Sequence, residues 1–476
     1  MSKGGTVSEL SWMTADQIGR AYRDGSLSPV DVVEGSLSRI EQVDSKINSM
    51  VTVTADEARL QAREAERAFR SGDDLPPLFG IPIVVKDLTD TAGVRTTYGS
   101  VAFSDHVPDT DAVTWSRLKA AGVILIGKTT TPEFGMLGVT DSKLTGTTST
   151  PWDLSRTSGG SSGGSAAATA AGITPISWGS DGGGSIRVPA SFCGTVGFKP
   201  TTGRIPTANS GEPDATEGPI TRTVVDNALL LDVTVGRDAR DRFSLPSTGE
   251  RYADAARERG DLAGVRIGAS VDLGYGPVDR EVRRVFDAAL DDLRSAGAVV
   301  EPVEIDLPDP IDYFLHYWGP EFIGGVAQLE ALGADVWPVT REIAERAARL
   351  GVAEVSAAGR GTKTAIYNAF AVVLNDFDLL VTPTTPTPAF PHAGDVGGVA
   401  IVDGVAVDMP GLFFHHLTES PSHAGLPAIS VPCGFTVDGL PVGLQIIGAA
   451  LEDLSVVRAA ARYEQATSWT SRRPVV

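Results

Sequence analysis

Residues 158–187 of this 476-residue chain read SGGSSGGSAAATAAGITPISWGSDGGGSIR. The middle of the stretch, SAAATAAGITPIS, predicts a tightly packed helix that runs into a strand, which indicates an α/β fold. Two glycine-flanked serines, Ser161 and Ser185, have no histidine between them, and Lys86 lies upstream in GIPIVVKD. Because a serine hydroxyl must lose its proton to become an effective nucleophile, these residues favour a serine hydrolase with a lysine base. The pattern leaves open which serine attacks.

The composition indicates a globular protein that acts on small molecules. Hydrophobic residues make up 42% of the chain, and the formal net charge of -20 argues against a general nucleic-acid-binding surface. The N-terminus has no signal-peptide core, and no apolar run approaches the roughly 18 residues that cross a membrane, so we expect a cytoplasmic location. Cys193 and Cys433, each flanked by small or apolar residues, predict two buried free thiols.

Helices and strands are predicted to alternate along most of the chain. Residues 14–71 are predicted to be helical. Later helices are predicted within 110–122, 222–236, 277–296, 311–375 and 451–466. Apolar runs typical of buried strands occur at 78–85, 123–126, 265–270, 298–305, 379–390, 426–434 and 439–448. The order predicts an α/β sheet covered by helices.

Two short motifs match known patterns without the structural context that those patterns need. Residues 122–129 (GVILIGKT) fit the phosphate-binding loop, but the four middle residues are strand-forming aliphatics. We therefore predict no nucleotide binding. Residues 116–119 (SRLK) fit the S-x-x-K motif of penicillin-binding enzymes, but neither SDN nor KTG follows, so we expect a solvent-facing helix surface.

A histidine-dependent esterase of the α/β-hydrolase type is an alternative interpretation. Residues 159–163 and 160–164 both fit the G-x-S-x-G elbow, although no strongly apolar strand precedes them. The histidines that could act as its base are His392, His415, His416 and His423. Replacing each histidine with alanine would separate the two interpretations.

Several motifs follow one another along the chain in a characteristic order and at characteristic spacings. Lys86, Ser161 and Ser185 occur in GIPIVVKD, GGSSGGS and DGGGSIRVPASFCGTVGFKPT, and these are followed by GPITR at 218–222, LPAISVPCG and GLPVGLQIIG. Together they resemble the amidase signature family across nearly the whole chain. The resemblance implies one large α/β domain with a central mixed β-sheet covered by helices, in which residues 1–75 form an N-terminal helical layer on a core of residues 76–476.

The resemblance also implies a reaction and the residues that perform it. The expected activity is hydrolysis of linear C–N amide bonds without a metal or organic cofactor. Ser185 is the implied nucleophile, Lys86 the base, and Ser161, joined to Gly160 by a cis peptide bond, the proton relay. Lys86 must be neutral to accept a proton, and burial against the apolar strand would favour the neutral form. Its pKa would need to fall toward roughly 7 to 8 for efficient catalysis near neutrality.

The same resemblance implies supporting roles around the glycine-rich turn. Glycines let the backbone approach the scissile carbonyl closely, so the expected oxyanion hole consists of the amides of Gly182, Gly183, Gly184 and Ser185. Family members usually carry a bulkier residue where Gly182 stands. Asp181 and Arg187 are expected to brace the turn, and Ser162 and Ser180 to hold Ser161 and Lys86 in place.

The substrate is less well defined by the sequence. The residues expected to line its pocket are Met136, Gly160, Tyr313, Phe314, Tyr317, Trp318 and Phe370. An apolar pocket would suit aryl amides, anilides, esters or carbamates. We expect a small-molecule amide substrate and no nucleic-acid or membrane partner, and a homodimer is compatible with the sequence. A second alternative, the A subunit of tRNA-dependent amidotransferase, is disfavoured because residues 311–375 lack the tyrosine-rich pattern associated with that subunit.

Overall fold

The structure is a computed structural model that describes residues 10–207, 215–308, 310–392, 399–408, 416–467 and 469–476. Its helices are α1 Ala15–Arg23, α2 Pro29–Ile47, α3 Ala55–Ser71, α4 Val113–Ala120, α5 Gly163–Ala170, α6 Arg187–Cys193, α7 Val224–Thr234, α8 Tyr252–Arg257, α9 Arg280–Ser295, α10 Pro310–Ala331, α11 Pro338–Ala347, α12 Val352–Ala357, α13 Lys363–Asp376, α14 His416–His423 and α15 Asp453–Ala466.

The strands are β1 Met50–Val53, β2 Pro82–Lys86, β3 Ile124–Thr129, β4 Asp141–Ser142, β5 Gly146–Thr147, β6 Ser149–Thr150, β7 Asp153–Thr157, β8 Ile176–Asp181, β9 Val196–Lys199, β10 Thr216–Thr221, β11 Arg266–Ala269, β12 Val299–Pro302, β13 Leu379–Pro383, β14 Val399–Val402, β15 Val405–Asp408, β16 Ala428–Phe435 and β17 Pro441–Gly448. Eleven of them form one sheet in the order β1-β3-β2-β8-β10-β9-β16-β17-β13-β11-β12.

The sheet is mixed, as predicted. β3, β2 and β8 run parallel to one another, and so do β13, β11 and β12. The strands between these two groups pair antiparallel. Every residue of β2 and β3 is buried, which is why both strands read as continuous apolar runs rather than alternating ones.

The N-terminal helices begin and end where the sequence places their capping residues. Thr14 accepts a hydrogen bond from the Gln17 amide and forms a capping box at the start of α1. Ser28 caps α2, which has proline at its first position. α3 ends at Gly72, which has a left-handed conformation.

The N-terminal segment is not purely helical, which corrects the prediction for residues 14–71. β1 lies between α2 and α3 and pairs antiparallel with β3 at the edge of the large sheet. Gly127 of β3 allows this close approach, because a Cβ atom there would lie 2.1 Å from the Thr52 carbonyl oxygen. Four residues, MVTV, are too short a signal to distinguish a strand from the helical sequence on either side.

The two rejected motifs lie on a strand and on a helix, and only Lys119 of the SRLK motif is exposed. Residues 124–129 of the phosphate-loop pattern form β3, and Lys128 is buried with its ammonium donating to the Thr91 and Thr96 hydroxyls. Ser116 lies on α4 and bonds to the Ala112 carbonyl. Both cysteines are free thiols, Cys193 buried and Cys433 only half-buried. No helix among the described residues is long and apolar enough to cross a membrane.

Candidate active site

Lys86 lies at the carboxyl end of β2, beside the end of the parallel strand β8. Its Nζ donates to the Ser161 hydroxyl at 2.6 Å and to the Ser180 hydroxyl at 2.9 Å. Ser180 is the penultimate residue of β8, and Ser161 comes just before α5. Because parallel strands end at one edge of a sheet, the topology brings Lys86 and Ser180 together, and the loop before α5 adds Ser161.

The Lys86 side chain has no solvent exposure. Burial lowers its pKa to about 7, while the negative charges of Asp181 and Glu217 act in the opposite direction. Glu217 lies on β10, directly across from Ser180, and accepts hydrogen bonds from Trp178 at 2.8 Å and Thr89 at 3.1 Å. A substantial fraction of Lys86 is therefore neutral near pH 7 and can accept a proton.

The peptide bond between Gly160 and Ser161 is cis. Position 160 has no room for a side chain, because a Cβ atom there would lie 2.7 to 2.8 Å from the backbone of residues 138 and 139. Ser162 joins this loop to β8, since its hydroxyl donates to the Ser180 carbonyl at 3.2 Å. Its amide donates to the Ser185 carbonyl at 3.1 Å, which ties the loop to the glycine-rich turn.

Asp181 organises the turn that carries Ser185. Its carboxylate accepts hydrogen bonds from the Gly184 amide at 2.7 Å and the Ile186 amide at 3.2 Å. It also forms a fully buried ion pair with Arg187 at 2.9 Å. Burial alone would raise the pKa of Asp181, but Arg187 overcomes it and lowers this pKa to about 2. The pair therefore stays ionised at neutral pH.

A cavity of about 250 Å³ opens at this point, and Ser161, Ser180 and Ser185 all line it. Apolar side chains form much of the remaining wall, and two carboxylates interrupt it. The other described lining residues are Leu88, Phe134, Gly135, Met136, Leu137, Gly138, Gly182, Gly183, Ala215, Phe314, Trp318, Glu321, Phe322 and Glu419. Three hydroxyls, two of them hydrogen-bonded to a buried lysine of lowered pKa, thus face a mostly apolar cavity.

Known proteins resemble this chain in both sequence and fold. The sequence profile of the family described as Amidase matches residues 31–457. An acylamidase from Rhodococcus erythropolis is 36% identical over 477 residues, which cover 98% of each chain. The chain belongs to the amidase signature family. The resemblance found in the sequence is confirmed, and the chain is an amidase signature amidohydrolase.

Two further relatives bear on the function of this amidase. The A subunit of glutamyl-tRNA(Gln) amidotransferase from Geobacillus thermodenitrificans (strain NG80-2) is 38% identical over 495 residues, covering 97% of this chain and 99% of its own. The crystal structure of a bacterial aryl acylamidase of the same family superposes with a TM-score of 0.90 at 30% identity, over 97% of this chain and 98% of that chain. The fold predicted from the sequence is confirmed.

One expected oxyanion donor of the amidase is engaged elsewhere. The Gly184 amide donates to Asp181, so this turn uses it as a brace and not as a ligand for the substrate. Gly182 and Gly183 line the cavity, as does Ser185. At Gly182 a Cβ atom would lie 3.0 Å from the Trp318 ring, so this glycine makes room for the indole in the cavity wall.

Only some of the predicted pocket residues line the cavity, and those on α10 do so only from one face of the helix. Met136, Phe314 and Trp318 line the cavity of the amidase, and Phe322 continues the same face of α10. Among the described lining residues, Gly160, Tyr313, Tyr317 and Phe370 are absent. Tyr313 and Tyr317 are rotated about 100° from their neighbours, as consecutive helical positions are, and they pack instead on the His423 ring. Phe370 is fully buried in the core that includes Tyr313 and Ile366.

The described histidines do not line this cavity. His392 bonds to the Ser149 hydroxyl at 3.0 Å, and His423 bonds to Glu419 at 2.8 Å. His416 is buried, and His415 lies outside the described residues. The arrangement therefore gives no support to a histidine base for Ser161 or Ser185.

Two carboxylates near the site were missed from the sequence. Glu217 lies on strand β10, one residue before the family motif GPITR at 218–222, and no strand is predicted there from the sequence. Glu419 lies on the buried helix α14 and faces the cavity. The signal for Glu419 was a single charged residue in the small, polar run TESPSHAG, but only the assembled fold shows where such a helix lies.

Proposed function

We propose that this amidase hydrolyses linear amides with an aromatic or otherwise apolar acyl or amine group, through an acyl-enzyme on Ser185. Anilides are the preferred class, and esters and carbamates are further candidate substrates. The proposal rests chiefly on one observation, the 2.6 Å hydrogen bond between a fully buried Lys86 and Ser161 in the wall of a cavity that also contains Ser185. The names of the acylamidase and aryl acylamidase relatives support the same class.

The hydroxyl chain provides a route for the proton in the first half-reaction. Ser185 Oγ attacks the carbonyl carbon, its proton passes to Ser161 Oγ, and the Ser161 proton passes to Lys86 Nζ. The C–N bond then breaks, and the proton returns from Lys86 through Ser161 to the leaving amine. Water next attacks the ester and passes a proton along the same route to Lys86. As the ester C–O bond breaks, that proton returns through Ser161 to Ser185 Oγ, which releases the carboxylic acid and restores the Ser185 hydroxyl.

Backbone amides of the glycine-rich turn would stabilise the negative oxygen that forms in both steps. The candidates are the cavity-lining residues Gly182, Gly183 and Ser185. A single well-placed donor of this kind contributes roughly 3 to 4 kcal/mol to transition-state stabilisation. The mostly apolar wall lowers the local dielectric constant, which strengthens such electrostatic interactions.

A substrate panel with matched variants tests the proposal. Purified protein would be assayed on an aliphatic amide, an anilide, a carbamate and an ester of the same acyl group. We expect anilide hydrolysis, and a loss of at least about 1,000-fold in kcat for Ser185→Ala and for Lys86→Ala. Ser71→Ala, at an exposed position of α3, serves as the control. Full turnover by the Ser185→Ala variant would exclude the mechanism.

The A subunit of an amidotransferase is a second candidate, favoured by the extent of the similarity to such a protein. That subunit works with a partner, whereas the proposed amidase is active alone. Gel filtration of the purified chain together with anilide hydrolysis separates the two candidates. Activity that requires the addition of partner proteins would favour the second.

A further inference from the structure

A buried carboxylate, Glu419, lies in the wall of the cavity that contains Ser185. Only 3% of its surface is exposed. Its Oε1 atom accepts hydrogen bonds from the Trp318 indole at 2.8 Å and from His423 Nε2 at 2.8 Å. Both donating side chains can be uncharged, because an indole and the Nε2–H tautomer of imidazole each donate a hydrogen bond while neutral. Glu419 is thus held firmly by two donors that need carry no positive charge.

The second carboxylate oxygen lies against Gly183 of the glycine-rich turn. A Cβ atom on Gly183 would lie 1.9 Å from Glu419 Oε2, so this oxygen contacts the backbone of the glycine-rich turn. Thr418, the residue before it, donates to the Gly183 carbonyl at 2.7 Å and fixes α14 against the turn. A substrate carbonyl bound at Ser185 would therefore lie close to a negative charge.

All charged side chains among the described residues of this cavity wall are acidic. Glu419 and the exposed Glu321 are its charged members, and no lysine, arginine or histidine is among the lining residues that the structure describes. The aromatic rings of Phe134, Phe314 and Trp318 supply faces that attract cations. A buried carboxylate next to aromatic faces favours a cationic group and disfavours an anionic one.

On the basis of the proposed amide hydrolysis, we propose that Glu419 is a specificity-determining residue that binds an ammonium group of the substrate. The preferred substrates are then aromatic amides that carry a protonated primary amine close to the scissile carbonyl. The bound ammonium would also offset the repulsion between Glu419 and the developing oxyanion. A neutral substrate of the same shape lacks this compensation.

Two pairs of isosteric anilides test the proposal. β-Alanine anilide and butyranilide differ only in a terminal ammonium or methyl group on the acyl side. N-(4-aminomethylphenyl)acetamide and N-(4-ethylphenyl)acetamide differ in the same way on the amine side. We expect a higher kcat/KM for the ammonium member of at least one pair, which also assigns Glu419 to one side of the cleft. Equal kcat/KM values within both pairs would overturn the proposal.

Glu419→Gln keeps an oxygen that can accept from Trp318 and His423 but removes the charge. It is expected to lower kcat/KM for the preferred ammonium substrate by roughly 10- to 100-fold. The neutral member should be unchanged or faster, because a negative charge beside the oxyanion is gone. Glu419→Asp should retain a preference for the ammonium member. Glu342→Gln, at an exposed position of α11 outside the cavity, is the control and should leave the preference unchanged. An equal loss for both members in Glu419→Gln would contradict the proposal.

A binding measurement separates this proposal from the proposed hydrolysis. Calorimetry with the Ser185→Ala variant measures the affinity for each anilide without turnover. Tighter binding of the ammonium member, lost in the Ser185→Ala, Glu419→Gln double variant, supports the role of Glu419 even if no anilide is hydrolysed. Hydrolysis of both members with equal binding supports the proposed function and excludes this role.

Discussion

At the scale of single residues, the charge on Lys86 is expected to control the rate. Burial lowers its pKa to about 7, so the neutral base predominates above that pH and the inactive ammonium below it. We expect kcat/KM for an anilide to be level above about pH 8 and to fall about tenfold per pH unit well below 7. Stopped-time assays from pH 5 to 9 would show this decrease in kcat/KM. A rate that stays level down to pH 5, with chemistry rate-limiting, would contradict the assignment of Lys86 as base.

Ser180 is expected to act by positioning Lys86. Its hydroxyl accepts the second hydrogen bond from Nζ at 2.9 Å, and without it the amine is free to turn away from Ser161. Ser180→Ala should lower kcat by about tenfold, the equivalent of one hydrogen bond, with little change in KM. Ser177→Ala removes a buried hydroxyl from the same strand that bonds to the Ile220 carbonyl, and it should leave kcat unchanged. Equal kcat losses in both variants would indicate a general effect on β8.

At the scale of elements, the buried ion pair between Asp181 and Arg187 holds the turn at the start of α6. Asp181→Asn leaves the guanidinium without its counter-charge and should lower the free energy of unfolding by about 3 to 5 kcal/mol. Asp291→Asn removes one partner of an exposed pair on α9 and should cost no more than about 0.5 kcal/mol. Urea unfolding of both variants measures the difference, and similar midpoints would contradict it.

The same pair makes stability depend on pH in a defined direction. The pKa of Asp181 is about 2 in the folded protein, below the ordinary value of an aspartate. Its contribution is therefore complete above the unfolded pKa of about 4 and is lost as the pH falls toward 2. This loss should be absent from the Asp181→Asn variant.

The edge strand β1 depends on a glycine in its neighbour. Gly127→Ala places a methyl group 2.1 Å from the Thr52 carbonyl oxygen, a backbone atom that cannot yield locally. We expect a loss of about 1 to 3 kcal/mol in the free energy of unfolding. Gly324→Ala, in α10 with open space around the new methyl group, should instead stabilise the protein by up to about 1 kcal/mol. Thermal unfolding that ranks the two variants the other way would exclude this account of β1.

The sequence predicted some strands of the large sheet and missed others, and the polarity of each strand explains which. Continuous apolar runs predicted β2, β3 and β17, because a strand covered on both faces needs no polar residue. β1 and β10 were missed because their side chains are mixed in polarity. Ser161, Ser185 and Lys86 could be selected from motifs, whereas the cavity-facing side of α10 and the position of Glu419 depend on how helices rotate and pack.

At the scale of the whole molecule, the net charge of -20 creates a field that attracts cations. If ammonium-bearing anilides are the substrates, kcat/KM for β-alanine anilide should fall as ionic strength rises from about 0.01 to 0.5 M, where the screening length shrinks from about 30 Å to a few ångströms. Butyranilide, which carries no charge, is the control and should change little. Parallel salt titrations of the two rates test the expectation, and parallel declines would point to a general salt effect on the protein.

The order of strands has a consequence for biosynthesis. β9 pairs with β16, although Lys199 and its partner Ala428 lie more than 200 residues apart in the chain. A growing chain that has completed β9 therefore contains part of a sheet whose next strand has not yet been synthesised. In the same way, β13 is synthesised before its partner β17. Open strand edges of this kind invite pairing with other chains, so this stage of synthesis is the most exposed to aggregation. The hairpin of β16 and β17 joins two partial sheets into one.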